Sequence, residues 1–258
     1  MKMDITDRNE VEAVMKKLRP DIVIHCAAWT AVDAAEEAEN VPKVRAINAD
    51  GTRNIAAACK SLDCKLMYIS TDYVFDGQGT EPWKPDCTAY APLNVYGQTK
   101  LEGEMAVREM LEKYFIVRIA WVFGRNGKNF VKTMLNVGRT HESVRVVNDQ
   151  IGTPTYTYDL ARLLVDMIET EKYGCYHATN EGGDISFLPR DLPPSGLENG
   201  SHPGDDGGIW PEQGGAAVQQ QAGQVKAGRK RIYAAAGVER CAYKVSVVLV
   251  PWSPFAHV

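Results

Sequence analysis

The sequence predicts an α/β chain built on a doubly wound parallel sheet, incomplete at its N-terminus and followed by an irregular C-terminal tail. Three observations carry this prediction. Apolar runs alternate with amphipathic helical stretches from Met1 to about Gly183, the order expected of parallel strands joined by crossover helices. Three of those runs end in polar or aromatic groups, at Ala27-Ala28-Trp29-Thr30, at Ser70-Thr71-Asp72 and at Trp121. Ligands of open α/β sheets bind outside the carboxyl ends of the strands. Beyond Gly183 the periodicity dissolves into a stretch rich in Gly, Pro and Gln. The chain therefore divides into a sheet domain over residues 1–183 and a tail over 184–258 that does not read as a native domain.

Taken in order, residues 7–18 form a helix with Val11, Val14, Met15 and Leu18 on one face. Residues 21–26 (DIVIHC) are nearly all apolar, as a strand covered on both sides requires. A helix runs through 44–60, followed by a strand at 65–69 (KLMYI). Residues 96–111 read as a helix, 114–119 (YFIVRI) as a strand and 144–147 as a shorter strand.

Composition narrows the class. With 258 residues and 45% hydrophobic content the chain can bury a full core. A net charge of −4 with no basic stripe argues against nucleic acid as a partner. No apolar run approaches the length of a membrane span, and the polar start MKMDITDRNE is unlike a secretory signal. The six cysteines show no paired metal spacing, and reduced thiols of a cytoplasmic protein are the expectation.

The chemistry concentrates between Ser70 and Gly103. Tyr96 and Lys100 stand four residues apart at the start of a helical pattern, so phenol and ammonium project from one face. A nearby cation favours tyrosinate and brings a tyrosine toward proton transfer near neutrality. Such a pair suits reduction of a ketone or oxidation of an alcohol, although Tyr-x-x-x-Lys alone is a common chance match. The small pair Ala27-Ala28 would let a planar ligand approach the backbone, and serves strand–helix packing equally well.

Longer motifs add specificity: CAAWTAVDAAE (26–36), STDYVFDG (70–77), PLNVYGQTKLEGE (92–104), RIAWVFG (118–124), NFVKTML (129–135) and NDQIGTPTYTYDLA (148–161). In order and spacing they resemble the dTDP-4-dehydrorhamnose reductases, a branch of the extended short-chain dehydrogenase/reductases. The resemblance implies a Rossmann-like fold and reduction of the 4-keto group of dTDP-4-dehydro-L-rhamnose to dTDP-L-rhamnose, with NADPH or NADH as cofactor. It implies Tyr96 as proton donor, Lys100 as the group that lowers the Tyr96 pKa and holds the nicotinamide ribose, and Thr71 as hydrogen-bond partner of the keto oxygen. Asp72, Tyr73 and Trp121 would border the sugar. Ala27, Ala28 and Trp29 would line the cofactor, with Asp4 and Ile5 near its adenine. Asp72 as a turn or helix cap and Trp121 as a core aromatic remain open. The partner implied is a dTDP-sugar, with neither nucleic acid nor membrane, and the resemblance admits a homodimer. A regulatory subunit of methionine adenosyltransferase resembles the same fold and binds NADP without turnover, which keeps a non-catalytic reading open.

Two departures from the family pattern stand out. Its opening strand and glycine-rich, phosphate-cradling turn have no counterpart before Asp4, so a fragment or a misassigned start is expected, with weak NADPH binding. The tail composition fits disorder. It also fits a reading-frame slip close to Phe187: residues 208–227 can be encoded so that the frame one base forward yields the Arg-Pro and Ser-x-Leu of the family's C-terminal segment. On that expectation the apolar run 245–250 is accidental.

Overall fold

Helix α1, Arg8–Leu18, starts where the Asp7 carboxylate accepts the backbone N–H groups of Asn9 and Glu10 at 2.9 and 3.1 Å, the usual way to satisfy orphan donors at a helix start. It stops at Arg19, which turns left-handed (φ 43°) and donates its N–H to the Met15 carbonyl. The computed structural model describes residues 3–79, 81–141, 144–146, 150 and 152–180, together with strands at 197–199 and 247–250.

Strand β1 (Ile22–His25) is buried at all four positions. Short helices α2 (Val32–Ala35) and α3 (Val41–Arg45) lead into a π-helical turn, Ala46–Gly51, and then α4 (Thr52–Leu62). The single helix expected over 44–60 is thus broken by a wider turn, a device that frequently marks functional sites. Strand β2 (Lys65–Thr71) runs two residues past the predicted end and passes into a 3₁₀ turn, Asp72–Val74. Helix α5 (Val95–Met110) is capped by Asn94, whose side-chain oxygen accepts the Gly97 N–H at 2.7 Å. Strands β3 (Tyr114–Ile119) and β4 (Val122–Phe123), helix α6 (Phe130–Thr140), strands β5 (Val144–Val146) and β6 (Thr155–Tyr156), helix α7 (Thr157–Ile168) and strand β7 (Gly174–His177) follow. Strands β8 (Leu197–Asn199) and β9 (Val247–Val250) complete the described elements.

The main sheet has the order β7-β3-β2-β1-β9, with every pair parallel. Successive strand residues face opposite sides, and both sides are covered. Val23, Leu66, Tyr68 and Ile116 join Val11, Met15, Ile55 and Val107 in one core. Ile24, Met67, Phe115 and Val117 meet Leu163 and Leu164 of α7 in the other. This is why the strands read as continuous apolar runs. Among the described residues no helix is long and apolar enough to cross a membrane.

Residues 144–146 are a strand as predicted, and they pair with β8 outside the main sheet. Within the run 245–250, Val247–Val250 pair as a strand along β1, with Ile22 opposite Val247. The proposed slip near Phe187 and the rest of 184–258 lie outside the described residues.

Candidate active site

The three strand ends noted in the sequence come from adjacent strands, because β1, β2 and β3 are neighbours in the sheet. Past β1, the Trp29 N–H donates to the Asn48 side-chain oxygen at 2.8 Å, and the Asn48 amide donates to the Trp29 carbonyl and to the Thr99 hydroxyl, both at 3.2 Å. The π-helical turn therefore carries a buried clamp tying the Ala27-Ala28-Trp29 segment to α5. Trp29 packs with Ala35 and Val44, and Val95 and Tyr96 lean on that cluster. Ala27 and Ala28 are half-buried, and Ala27 packs beside the core that includes Ile5. Ile5 is buried and its carbonyl accepts from Asn54, whereas the exposed Asp4 carboxylate caps the N–H and hydroxyl of Thr6.

Past β2, the Thr71 hydroxyl donates to the Asp72 carboxylate at 2.8 Å and accepts the Tyr73 N–H at 3.3 Å. Asp72 is 3% exposed, and its second oxygen has no partner among the described residues. Burial pushes its carboxyl up to about 6, since a low-dielectric setting disfavours the charged form. Asp72 thus opens the 3₁₀ turn and also keeps an unsatisfied acceptor beside Thr71. Helix α5 can start against this turn because residue 97 is glycine: a Cβ there would lie 2.3 Å from the Tyr73 carbonyl oxygen. The Tyr73 and Tyr96 rings meet edge to face, with centroids 5.7 Å apart.

Tyr96 and Lys100 stand one turn apart on α5, as predicted, but their electrostatics differ from the expectation. The Lys100 ammonium donates to the Ile69 carbonyl at 2.7 Å and lies 4.0 Å from the centre of the Tyr68 ring. Burial pulls its pKa down to about 7, against an opposing pull from Glu104. Tyr96 is raised, not lowered: burial dominates, a hydrogen bond with the Thr71 side chain opposes it, and Asp72 adds to the rise. The Lys100 ammonium is engaged instead by the Ile69 carbonyl at the end of β2. Across the site, His25 bonds the Thr52 hydroxyl at 3.0 Å and is held neutral by burial, its pKa down to about 3.

Past β3, Trp121 is half-buried and takes a left-handed backbone, φ 45°. Beneath this end lies a buried ion pair: Arg118 donates to both oxygens of Glu104, and the Ser70 hydroxyl donates to the same carboxylate at 2.6 Å. Sequence reasoning missed Asn48, Glu104 and Arg118. Signals existed: Glu104 follows Lys100 by one helical turn, and Arg118 sits inside an otherwise apolar strand.

Comparison with known proteins gives a consistent result. The family model described as the RmlD substrate binding domain matches residues 1–187. A dTDP-4-dehydrorhamnose reductase of Streptomyces griseus is 44% identical over 188 residues, covering 70% of this chain and 60% of that protein. A dTDP-4-keto-6-deoxy-D-glucose reductase of Streptomyces niveus is 41% identical over 70% of this chain and 62% of its own length. The crystal structure of a Bacillus anthracis dTDP-4-dehydrorhamnose reductase in complex with NADP superposes with a TM-score of 0.67 at 46% identity, over 70% of this chain and 64% of that one. The chain thus spans a little over three-fifths of the length of these relatives.

Proposed function

Because the chain belongs to the dTDP-4-dehydrorhamnose reductase family, we propose that its sheet domain carries the catalytic half of a nicotinamide-dependent reductase acting on the 4-keto group of a dTDP-linked deoxy sugar. The observation that carries this reading is the placement of Thr71 at the end of β2 and of Tyr96 on α5 at the same Asp72–Tyr73 turn, with the buried Lys100 one helical turn from Tyr96.

The residues fit the cofactor on one structural ground. Lys100 has three N–H donors, and its bond to the Ile69 carbonyl leaves others to hold ribose hydroxyls. Ala27, Ala28 and Trp29 would border the same cofactor, and Asp4 and Ile5 its adenine end. NADPH or NADH, when bound, supplies the hydride. The protein's part is orientation and proton supply: Thr71 hydrogen-bonds the keto oxygen, and Tyr96 gives its phenolic proton to that oxygen as negative charge develops there. A raised Tyr96 pKa keeps the proton in place until that moment. Tyr73, Asp72 and Trp121 would border the sugar. The reading includes a cytoplasmic protein and admits a homodimer.

The test is oxidation of NADPH or NADH by the purified protein, followed spectroscopically, with dTDP-4-dehydro-L-rhamnose as acceptor. Turnover that needs both components supports the proposal. Tight nucleotide binding with no reduction of the sugar would instead favour the non-catalytic, regulatory reading.

A further inference from the structure

Trp121 has φ of 45°, a conformation a bulky L-residue keeps only where its surroundings hold it. One short loop supplies that hold. Thr155 is 2% exposed; its hydroxyl donates to the Ala120 carbonyl at 2.7 Å and accepts from the Ala120 N–H at 3.4 Å. The Thr155 N–H donates to the Trp121 carbonyl at 3.3 Å. Directly after the strained residue, Val122 pairs with Thr155 as β4 meets β6. One threonine therefore grips the chain before, at and after Trp121.

The same loop also places the side chain. A Cβ at Gly152 would lie 2.8 and 2.9 Å from Cζ2 and Cε2 of Trp121, closer than carbon atoms pack, so the indole rests on bare backbone. The loop is itself anchored: the Asn180 N–H donates to the Pro154 carbonyl at 2.9 Å, and the Asn180 side-chain oxygen accepts the Tyr156 N–H at 2.6 Å. Strain at Trp121, a two-sided grip at Thr155 and a missing Cβ at Gly152 all serve one outcome, a fixed indole at the end of β3.

We propose that Gly152 and Thr155 are positioning residues that hold the Trp121 indole as the rigid wall against which the sugar ring of the nucleotide sugar packs. The identity of the ligand rests on the function proposed above; the positioning does not. A flat, immobile apolar face suits the C–H face of a deoxyhexose and gains from being set before the ligand arrives.

The experiment isolates Trp121 emission as the difference between a protein and the same protein carrying Trp121→Phe. Gly152→Ala and Thr155→Val are each expected to shift that difference spectrum, and Thr155→Ser, which keeps the hydroxyl, to restore it. Calorimetric affinity for dTDP-rhamnose should weaken about 10-fold in Gly152→Ala. If Gly152→Ala does not fold, the Thr155→Val and Thr155→Ser pair decides. Difference spectra identical to wild type would overturn the proposal, and so would a shifted spectrum with unaltered dTDP-rhamnose affinity. A wild-type protein that binds no dTDP-sugar defeats the functional reading alone, while the emission arm still decides the positioning.

Discussion

Arg118 meets both oxygens of Glu104, at 2.8 and 2.7 Å, and neither side chain is more than 1% exposed. The pair ties β3 to α5 directly beneath the ends of β2 and β3, and Ser70 joins it from β2. Two buried charges persist because each is fully bonded, and removing one partner costs more than the intact pair contributes. Arg118→Leu would strand the Glu104 carboxylate in the core. We expect it to lower unfolding stability by about 3–5 kcal/mol in urea titrations. A loss no larger than that of an exposed substitution would show that the pair does not brace the site.

Asp72 should make stability depend on pH with a definite sign. Its carboxyl is raised by burial to about 6 in the folded protein, against 3.8 ordinarily. The folded state therefore holds the proton across that window, and stability from this group is full below the ordinary value and lost as pH rises through 6. One pKa unit corresponds to about 1.4 kcal/mol, so the total is on the order of 3 kcal/mol. Asp72→Asn, which carries no ionisable proton, should gain on the wild type between pH 4 and 7, by about 2 kcal/mol or more. Parallel stability curves for the two proteins over that range would contradict the buried, unsatisfied carboxylate.

The sequence made the strands and the Tyr96–Lys100 helix legible because both depend on local pattern: apolar runs for strands covered on two faces, and a one-turn spacing for the pair. It concealed what depends on tertiary neighbours. The helix expected over 44–60 breaks at Ala46–Gly51 because Asn48 turns inward to Trp29 and Thr99, partners 19 and 51 residues away in the chain. The Tyr96 pKa was expected to fall because Lys100 is close in sequence, yet burial decides its direction, with Asp72 and Tyr73 adding to the rise. Trp121 appeared as the end of a strand, while its strained backbone depends on Thr155, which no spacing rule connects to it.

Strand β9 supplies a test of the sheet's outer edge. Successive N–H groups of a strand point to opposite sides, so of Val248 and Leu249 one directs its N–H toward β1 and the other away from it. Proline in place of either residue removes that donor. Val248→Pro and Leu249→Pro should therefore differ, one losing a ladder bond worth about 1 kcal/mol or more and the other tolerated as proline is on sheet edges. Equal, negligible effects of the two in denaturant titration would remove β9 from the cooperative structure.

The proton donor can be separated from the hydroxyl that orients it. Tyr96→Phe deletes only the phenolic proton, a contribution typically worth ~10²–10⁴-fold in rate, and leaves the ring against Tyr73 and the Trp29 cluster. Nucleotide affinity should hold, since Lys100 keeps its place at the Ile69 carbonyl without help from the phenol. Thr71→Val deletes the hydroxyl that donates to Asp72 beside Tyr96, and should lower turnover while leaving the phenol available. If the two residues act as one unit, the double variant will be scarcely slower than Tyr96→Phe alone, because the hydroxyl has no proton left to align. Rates that multiply in the double variant would mean that the Thr71 contact with the keto oxygen, and not its coupling to Tyr96, carries its whole contribution.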